Sequence, residues 1–391
     1  MSSLDDDHMG ARIKRERKRA HLTQRGLAER IPYSYSLLNQ VECGARQASD
    51  EFLTVVARAL NIQVTALTGR QIMDDDRLAA LVCPIRAALD LYDLGPSGTV
   101  TRTAEQLAGA ADDLCRRVRA THLRSAAGAL PGVISELTHL AVSAPTTPTW
   151  QALASSYRTA ADIALKLGFP DLSSVALDRM GWAAERASDP CLGAIRQYKR
   201  ALVYKSSGGE AALSMRLIES GHDMLDGQTT RTALVVRGQL HLGLSAVAAR
   251  FGDGDVTATH IAAARDIARQ VGGEAGEVHW LSFGLRNVAL HEMGASLAMR
   301  QYDAALTQAR KIKLGPSTLT SRRARFLVDR ATAEMETGRT DAALKHLVEA
   351  RRVAPEQTRY HPGTRGAITG LVRLARRPTD TLNHLAKWVG V

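Results

Sequence analysis

The sequence predicts an all-α protein in two parts: a compact N-terminal group of five short helices, then an α-solenoid of helix pairs. Three observations carry that expectation. Aromatic residues make up 4% of the 391-residue chain while alanine, leucine and arginine dominate, a composition that favours helix over strand. Apolar residues recur at helical spacing between breaks at glycine, proline or Asp-Pro, and strand alternation is absent. From residue 153 onward, paired-helix segments follow one another at a nearly constant period.

The bulk properties narrow the class. Hydrophobic residues at 45% and charged residues at 23% match an ordinary soluble globular protein. The most apolar stretch, 232–251, is broken by Arg237 and His241, short of the roughly 18 uninterrupted residues of a membrane helix. The opening MSSLDDDH is acidic and lacks the basic-then-apolar order of a secretory signal, so a cytoplasmic location is expected, with no membrane partner. Cys43, Cys83, Cys115 and Cys191 lie too far apart for a zinc site or a disulfide framework and read as free thiols. A formal charge of +11 and pI near 9.8 suggest an anionic partner. The excess falls in two places, residues 10–70 with eleven Lys and Arg against five Asp and Glu, and residues 321–391 with fourteen against seven. Charge alone therefore does not single out a binding face.

In residues 10–70, Ile13, Arg17 and Ala20 share one helical face, and Leu27, Ala28 and Ile31 another. Thr23 is placed to cap the second helix, and Pro32 to end it, because the residue before proline is pushed out of helical angles. Ser34 caps a third helix in which Leu38 and Val41 face inward, leaving Tyr35, Ser36, Asn39 and Gln40 outside until Gly44 stops it. Ser49, followed by Asp50 and Glu51, opens a fourth, with the stripe Phe52, Leu53, Val56, Ala57 and Leu60.

The order "LTQ", a short helix, a tight turn, "SYSLLNQVECG", then "VARALNI" resembles the helix-turn-helix domain of the Cro/phage-repressor (XRE) family. Gln24 falls on that family's Gln, and Glu42-Cys43-Gly44 on its Glu-x-Gly. The resemblance implies that Arg17 of the first helix pairs with Glu42, and that the third helix enters the major groove of double-stranded DNA. Tyr35, Ser36, Asn39 and Gln40 are then the base readers, since Asn and Gln contact adenine bidentately and Tyr35 offers a ring to a thymine methyl. Gln24, Arg46 and Gln47 flank that helix as phosphate contacts. The chain departs from the family at His21 and Pro32, where glycine is usual, and at Arg25 and Gly26, where acidic residues are usual. The departures at Arg25 and Gly26 leave the DNA-facing side more basic.

A junction over 71–80 leads into residues 81–391, read as the repeat domain for sensing and dimerisation. Its five similar segments turn at Gly168, Gly208, Gly252, Arg300 and Gly338, spaced 40, 44, 48 and 38 residues apart. "LAMRQYDAALTQARKI" and "METGRTDAALKHLVEARRVAPE" resemble tetratricopeptide repeats, residues 78–150 are least regular, and the tail reads as a capping helix pair. The layout resembles actinobacterial XRE regulators with tetratricopeptide-like C-terminal halves and, more remotely, peptide-sensing quorum regulators. That implies a homodimer on an operator, with a peptide or small-molecule signal in the repeat groove. Asn287 and His291, one turn apart, with Arg237, His241, Trp182 and Tyr157, are the groove candidates, although Trp182 and Tyr157 suit core packing better, and His291 a satisfied interior site.

No catalytic chemistry is expected. "HEMGAS" lacks a second histidine one turn on for zinc, and "DGD" at 253–255 lacks the other oxygens of a calcium loop. No phosphate-cradling loop or nucleophile elbow occurs, and neither a metal nor a cofactor is called for. The rival expectation is a repeat-based protein-interaction scaffold with a weakly or non-specifically DNA-binding head.

Overall fold

A computed structural model describes residues 9–20, 22–46, 48–60, 62, 67, 72–94, 100–206, 210–315 and 318–391. It divides into two compact units, Met1–Ala80 and Leu81–Val391. Among the described residues there are twenty α-helices and no named strand, apart from an isolated antiparallel bridge between Ala275 and Phe283. No helix there is long and apolar enough to cross a membrane.

The first unit holds α1 (Met9–Arg19), α2 (Gln24–Ala28), α3 (Tyr35–Glu42) and α4 (Asp50–Ala59). Each of the last three starts where a hydroxyl side chain meets a free amide. Thr23 Oγ1 accepts from Gly26 N at 3.0 Å, Ser34 Oγ from Leu37 N at 3.2 Å and Ser49 Oγ from Phe52 N at 3.2 Å. The stripes converge on one core containing Ile13, Leu27, Ile31, Leu38, Val41, Phe52, Leu53 and Val56. Two features differ from expectation. Helix α2 stops at Ala28, before Pro32 can act, and residues 29–33 form turns and bends. Gly10 lies against α3 so closely that a Cβ there would sit 1.7 Å from the carbonyl oxygen of Val41, so α1 crosses α3 at a distance only glycine permits. The expected fifth helix and His21 lie outside the described residues.

Helix α5 (Ile72–Asp90) runs through most of the expected junction and across the division between the units. Six antiparallel pairs follow in the second unit: α6 (Ala104–Arg119) with α7 (Leu123–Ser143), α8 (Thr147–Leu167) with α9 (Pro170–Ala187), and α10 (Pro190–Ser206) with α11 (Ala211–Asp223). Then come α12 (Arg231–Arg250) with α13 (Gly254–Val271), α14 (Leu285–Ala298) with α15 (Tyr302–Lys311), and α16 (Thr320–Glu336) with α17 (Thr340–Val353). Three shorter helices, α18 (Pro355–Tyr360), α19 (Pro362–Leu374) and α20 (Asp380–Val389), close the array. The first pair falls in the stretch that reads as least regular. Its turn is made by Thr121 in the left-handed region, φ +68°, which no glycine announces. Gly168, Gly252 and Gly338 take φ of +90°, +82° and +77° at their turns, and Arg300 takes +61°; Gly208 lies outside the described residues.

The array curls until its last helices and the segment after its fourth pair return to its first helices. Lys166 Nζ donates to Gln357 Oε1 at 2.5 Å, and Glu356 Oε2 accepts from Arg124 N at 3.0 Å. The segment between α13 and α14, which carries a single 3-10 turn at Val278–Trp280, also reaches the first helices. Arg158 donates to His279 O at 2.9 Å, and Trp280 Nε1 to Asp112 Oδ1 at 2.7 Å. Curvature therefore brings together side chains more than a hundred positions apart and encloses polar groups along the inner surface.

Candidate functional site

In the N-terminal unit the site grows outward from one buried ion pair. Arg17 Nε and Nη2 donate to Glu42 Oε1 and Oε2 at 2.7 and 2.8 Å, a bidentate pairing with both side chains largely out of water. Arg17 Nη1 also donates to Leu22 O at 2.8 Å, tying α1 to the start of α2. Gln24 completes the link to the surface. Its Nε2 donates to Glu42 Oε2 at 2.8 Å and to Asn39 Oδ1 at 3.3 Å, and its Oε1 accepts from Tyr35 OH at 3.2 Å. Only the NH2 end of that amide can serve a carboxylate, so Glu42 fixes which end faces Tyr35.

Tyr35, Ser36, Asn39 and Gln40 all lie on the exposed side of α3, with Tyr35 46% exposed. Two of the four, Tyr35 and Asn39, are thus held by Gln24, while Ser36 and Gln40 extend from the helix. Gln24, expected as a phosphate contact, has both ends of its amide engaged within the protein, Nε2 by Glu42 and Asn39 and Oε1 by Tyr35. Arg46 is exposed just past α3, where its backbone N–H donates to Gln40 O at 3.1 Å. Gln47 lies outside the described residues.

In the second unit, the six groove candidates separate. Asn287 and His291 line two adjoining cavities, of about 290 and about 350 Å³ respectively, which share Leu290 and Arg322 in their walls. The other four stand elsewhere. Tyr157 is fully buried with its hydroxyl 3.5 Å from that of Thr138, and burial pushes its phenol up to about 12. Trp182 packs edge-on against Trp150 and Tyr92, under the guanidinium of Arg186 at 4.4 Å. Both belong to packing: Tyr157 is enclosed in the core and Trp182 is held among Trp150, Tyr92 and Arg186. Arg237 donates to the carbonyls of Leu225 and Gln228 at 2.8 and 3.2 Å and so closes the turn after α11. His241 stands between His222 and His260, with its Nδ1 3.1 Å from that of His260. Burial, then the neighbouring charges, push His222 and His241 down to about 4, so the stack is neutral at neutral pH.

Sequence reading missed the charged cluster inside the curve. Asp162 accepts from Arg119 at 2.6 Å and from Lys199 at 2.7 Å, and lies well below the usual carboxylate range because those cations outweigh its burial. Lys199 and Lys166 are pushed down to about 8 and about 7, first by burial and, for Lys166, next by Arg119. These residues sit on three different helices, α6, α8 and α10, so apart from Asp162 and Lys166 on α8 no local pattern links them. Among the described residues no group of three His, Cys, Asp or Glu side chains has a geometry that could hold a metal ion.

Residues 8–70 match a protein-family model described as a helix-turn-helix domain. No match was found among curated proteins. Among solved structures, the chain is similar to PlcR of Bacillus thuringiensis, crystallised in complex with the peptide PapR7 and DNA. The TM-score is 0.32 at 12% identity, over 89% of this chain and 95% of that one.

Proposed function

We propose that this chain is a sequence-specific DNA-binding transcriptional regulator. The carrying observation is the outer face of α3: Tyr35, Ser36, Asn39 and Gln40 stand exposed on a helix whose inner side is locked by the Arg17–Glu42–Gln24 network. A helix of that size fits the major groove, and the hydroxyl side chains at its start and the amides Asn39 and Gln40 one turn on match base edges there. Gln24 then acts as the residue that orients Tyr35 and Asn39, and Arg46 as a phosphate contact. A single such head contacts few base pairs, so useful specificity calls for two heads on an inverted repeat, about one helical turn apart. The repeat unit would supply the dimer contacts and a site for a controlling signal.

The test is selection of bound fragments from genomic DNA by the purified full chain, followed by affinity measurement at two salt concentrations. The expected result is an enriched inverted repeat bound at least about a thousandfold more tightly than random DNA. Asn39→Ala and Gln40→Ala should each relax base preference by about 1–3 kcal/mol, whereas Arg46→Ala should weaken binding to all sequences and lower the salt slope by about one. Uniform weak binding that vanishes with salt would overturn the reading and favour the interaction scaffold.

A further inference from the structure

The curved interior of the repeat unit holds more cation than its own carboxylates answer. Arg119, Arg158, Lys166, Lys199, Arg322 and Arg325 lie within electrostatic reach of one another or of Asp162. The carboxylates near them are already engaged: Asp162 by Arg119 and Lys199, Asp329 by Arg325 at 2.7 Å, and Asp112 by the indole N–H of Trp280. Among the described residues, the guanidinium of Arg322 has neither a hydrogen bond nor an ion pair, although it lines both cavities. Asn287 is 3% exposed and borders one of them; its Nδ2 donates to Gln239 at 3.4 Å, and its Oδ1 is buried with no hydrogen-bond partner among the described residues. The two groups want different partners: the half-buried guanidinium of Arg322 attracts an anion, and the buried carbonyl oxygen of Asn287, costly to leave unmatched, wants a donor.

We infer that the two cavities together take a small organic monoacid: its acidic group on Arg322, an N–H or O–H donor on Asn287 Oδ1, and an apolar body against Leu290 and Phe326. The inference deepens the reading above by giving its signal site a chemistry, and depends on that reading only for the consequence at DNA. The charge is set at one by the walls. Arg250, Arg286, Arg322 and Arg325 line the two cavities against Glu274, Glu277 and Asp329, four cations to three carboxylates, so one negative charge on the ligand is answered and a second is not. An acceptor at Asn287 likewise disfavours the bare oxygens of a phosphate. Leu290, Leu202, Met293 and Phe326 give the larger cavity an apolar wall, which suits a hydrocarbon body. An acylated amino acid and the free carboxyl end of a short apolar peptide both carry this set of groups.

The test is calorimetric titration of the full chain with two matched pairs: N-acetyl-leucine against its amide, and N-acetyl-trileucine against its amide. In at least one pair the acid should bind about tenfold or more tightly than the amide, the range of a charge-assisted hydrogen bond. The single amino acid responding marks a free small acid as the source; the peptide alone responding marks a chain terminus. Arg322→Met should erase the preference of acid over amide. If neither acid outbinds its amide, or if Arg322→Met keeps the preference, the inference is overturned. Should Arg322→Met lose cooperative unfolding, Asn287→Asp decides instead: a carboxylate at that wall should weaken the acid about tenfold and spare the amide, and an undiminished acid overturns the site. DNA affinity of the same samples separates the two readings, since selective DNA binding can fail while the acid preference stands, and the reverse.

Discussion

The two units build polar sites in opposite ways. In the head, the network runs from Arg17 through Glu42 and Gln24 to Tyr35, all within 26 residues of chain, and it starts buried and ends in water. In the repeat unit, Lys166 meets Gln357 and Arg158 meets His279, partners 191 and 121 residues apart, and the charges stay inside. A local network is encoded by spacing within a motif, whereas a distant one is encoded by the summed curvature of successive helix pairs. The head should therefore respond sharply to single changes in its network, and the repeat unit should respond chiefly to changes that alter interior charge or turn geometry.

The largest effect is expected at the buried pair. Arg17→Ala leaves Glu42 without its bidentate partner in a nearly dry site, a loss on the order of 3–5 kcal/mol. Hydrogen exchange should then accelerate throughout residues 9–60 while helices α8–α17 keep their protection. Equal acceleration in both units would contradict the separateness of the two networks.

Next is the response to acid, which belongs to the repeat unit. His222 and His241 are held at about 4 in the fold, first by burial, against about 6.5 in the unfolded chain. A depressed histidine is stable as the neutral form, so its contribution is present above about 6.5 and is lost as pH falls toward about 4, where the unfolded chain binds the extra protons. Partial exposure reduces the effect to on the order of 2 kcal/mol for the stack. His241→Gln should flatten the fall of unfolding free energy over that window relative to wild type; parallel profiles would remove the stack as its source.

Gly10 tests the head from its other side. Alanine there cannot be placed without moving α1 from the carbonyl of Val41, and overpacking of this kind costs about 1–3 kcal/mol. A midpoint of denaturation for the head unchanged from wild type would show that the close crossing is not required.

Legibility followed the same division. The three hydroxyl caps, Thr23, Ser34 and Ser49, and the stripes of α3 and α4 were readable because a cap and its amide lie three residues apart and a stripe repeats every turn. Gly10 was not, since a helix crossing depends on a partner 31 residues away, and neither was the link of Gln24 to Glu42, which has no local signature. In the repeat unit the turns at Gly168, Gly252 and Gly338 announced themselves, while Asn287 was found without Arg322, which is 35 positions on and meets it only through packing of α14 and α16. Tyr157 and Trp182 show the converse: aromatic residues at plausible groove positions are taken up by core packing and by an aromatic cluster with Trp150 and Tyr92.

The smallest effect is expected at Arg300, the turn that breaks the glycine pattern. Gly168, Gly252 and Gly338 occupy the left-handed region without penalty, but Arg300 adopts φ +61° with a Cβ, which costs about 1–2 kcal/mol. Its side chain is exposed, and its backbone N–H closes the turn on Leu297 O at 3.1 Å, a bond that glycine keeps. Replacing it therefore removes strain without removing a buried contact. The gain is offset by the greater freedom of glycine in the unfolded chain, about 0.5–1 kcal/mol, so Arg300→Gly should stabilise the repeat unit by a few tenths to about 1 kcal/mol. Arg300→Ala keeps the Cβ and should give no such gain. If both variants shift stability equally, the strain at this turn is not what the dihedral angle implies, and the side chain itself must contribute.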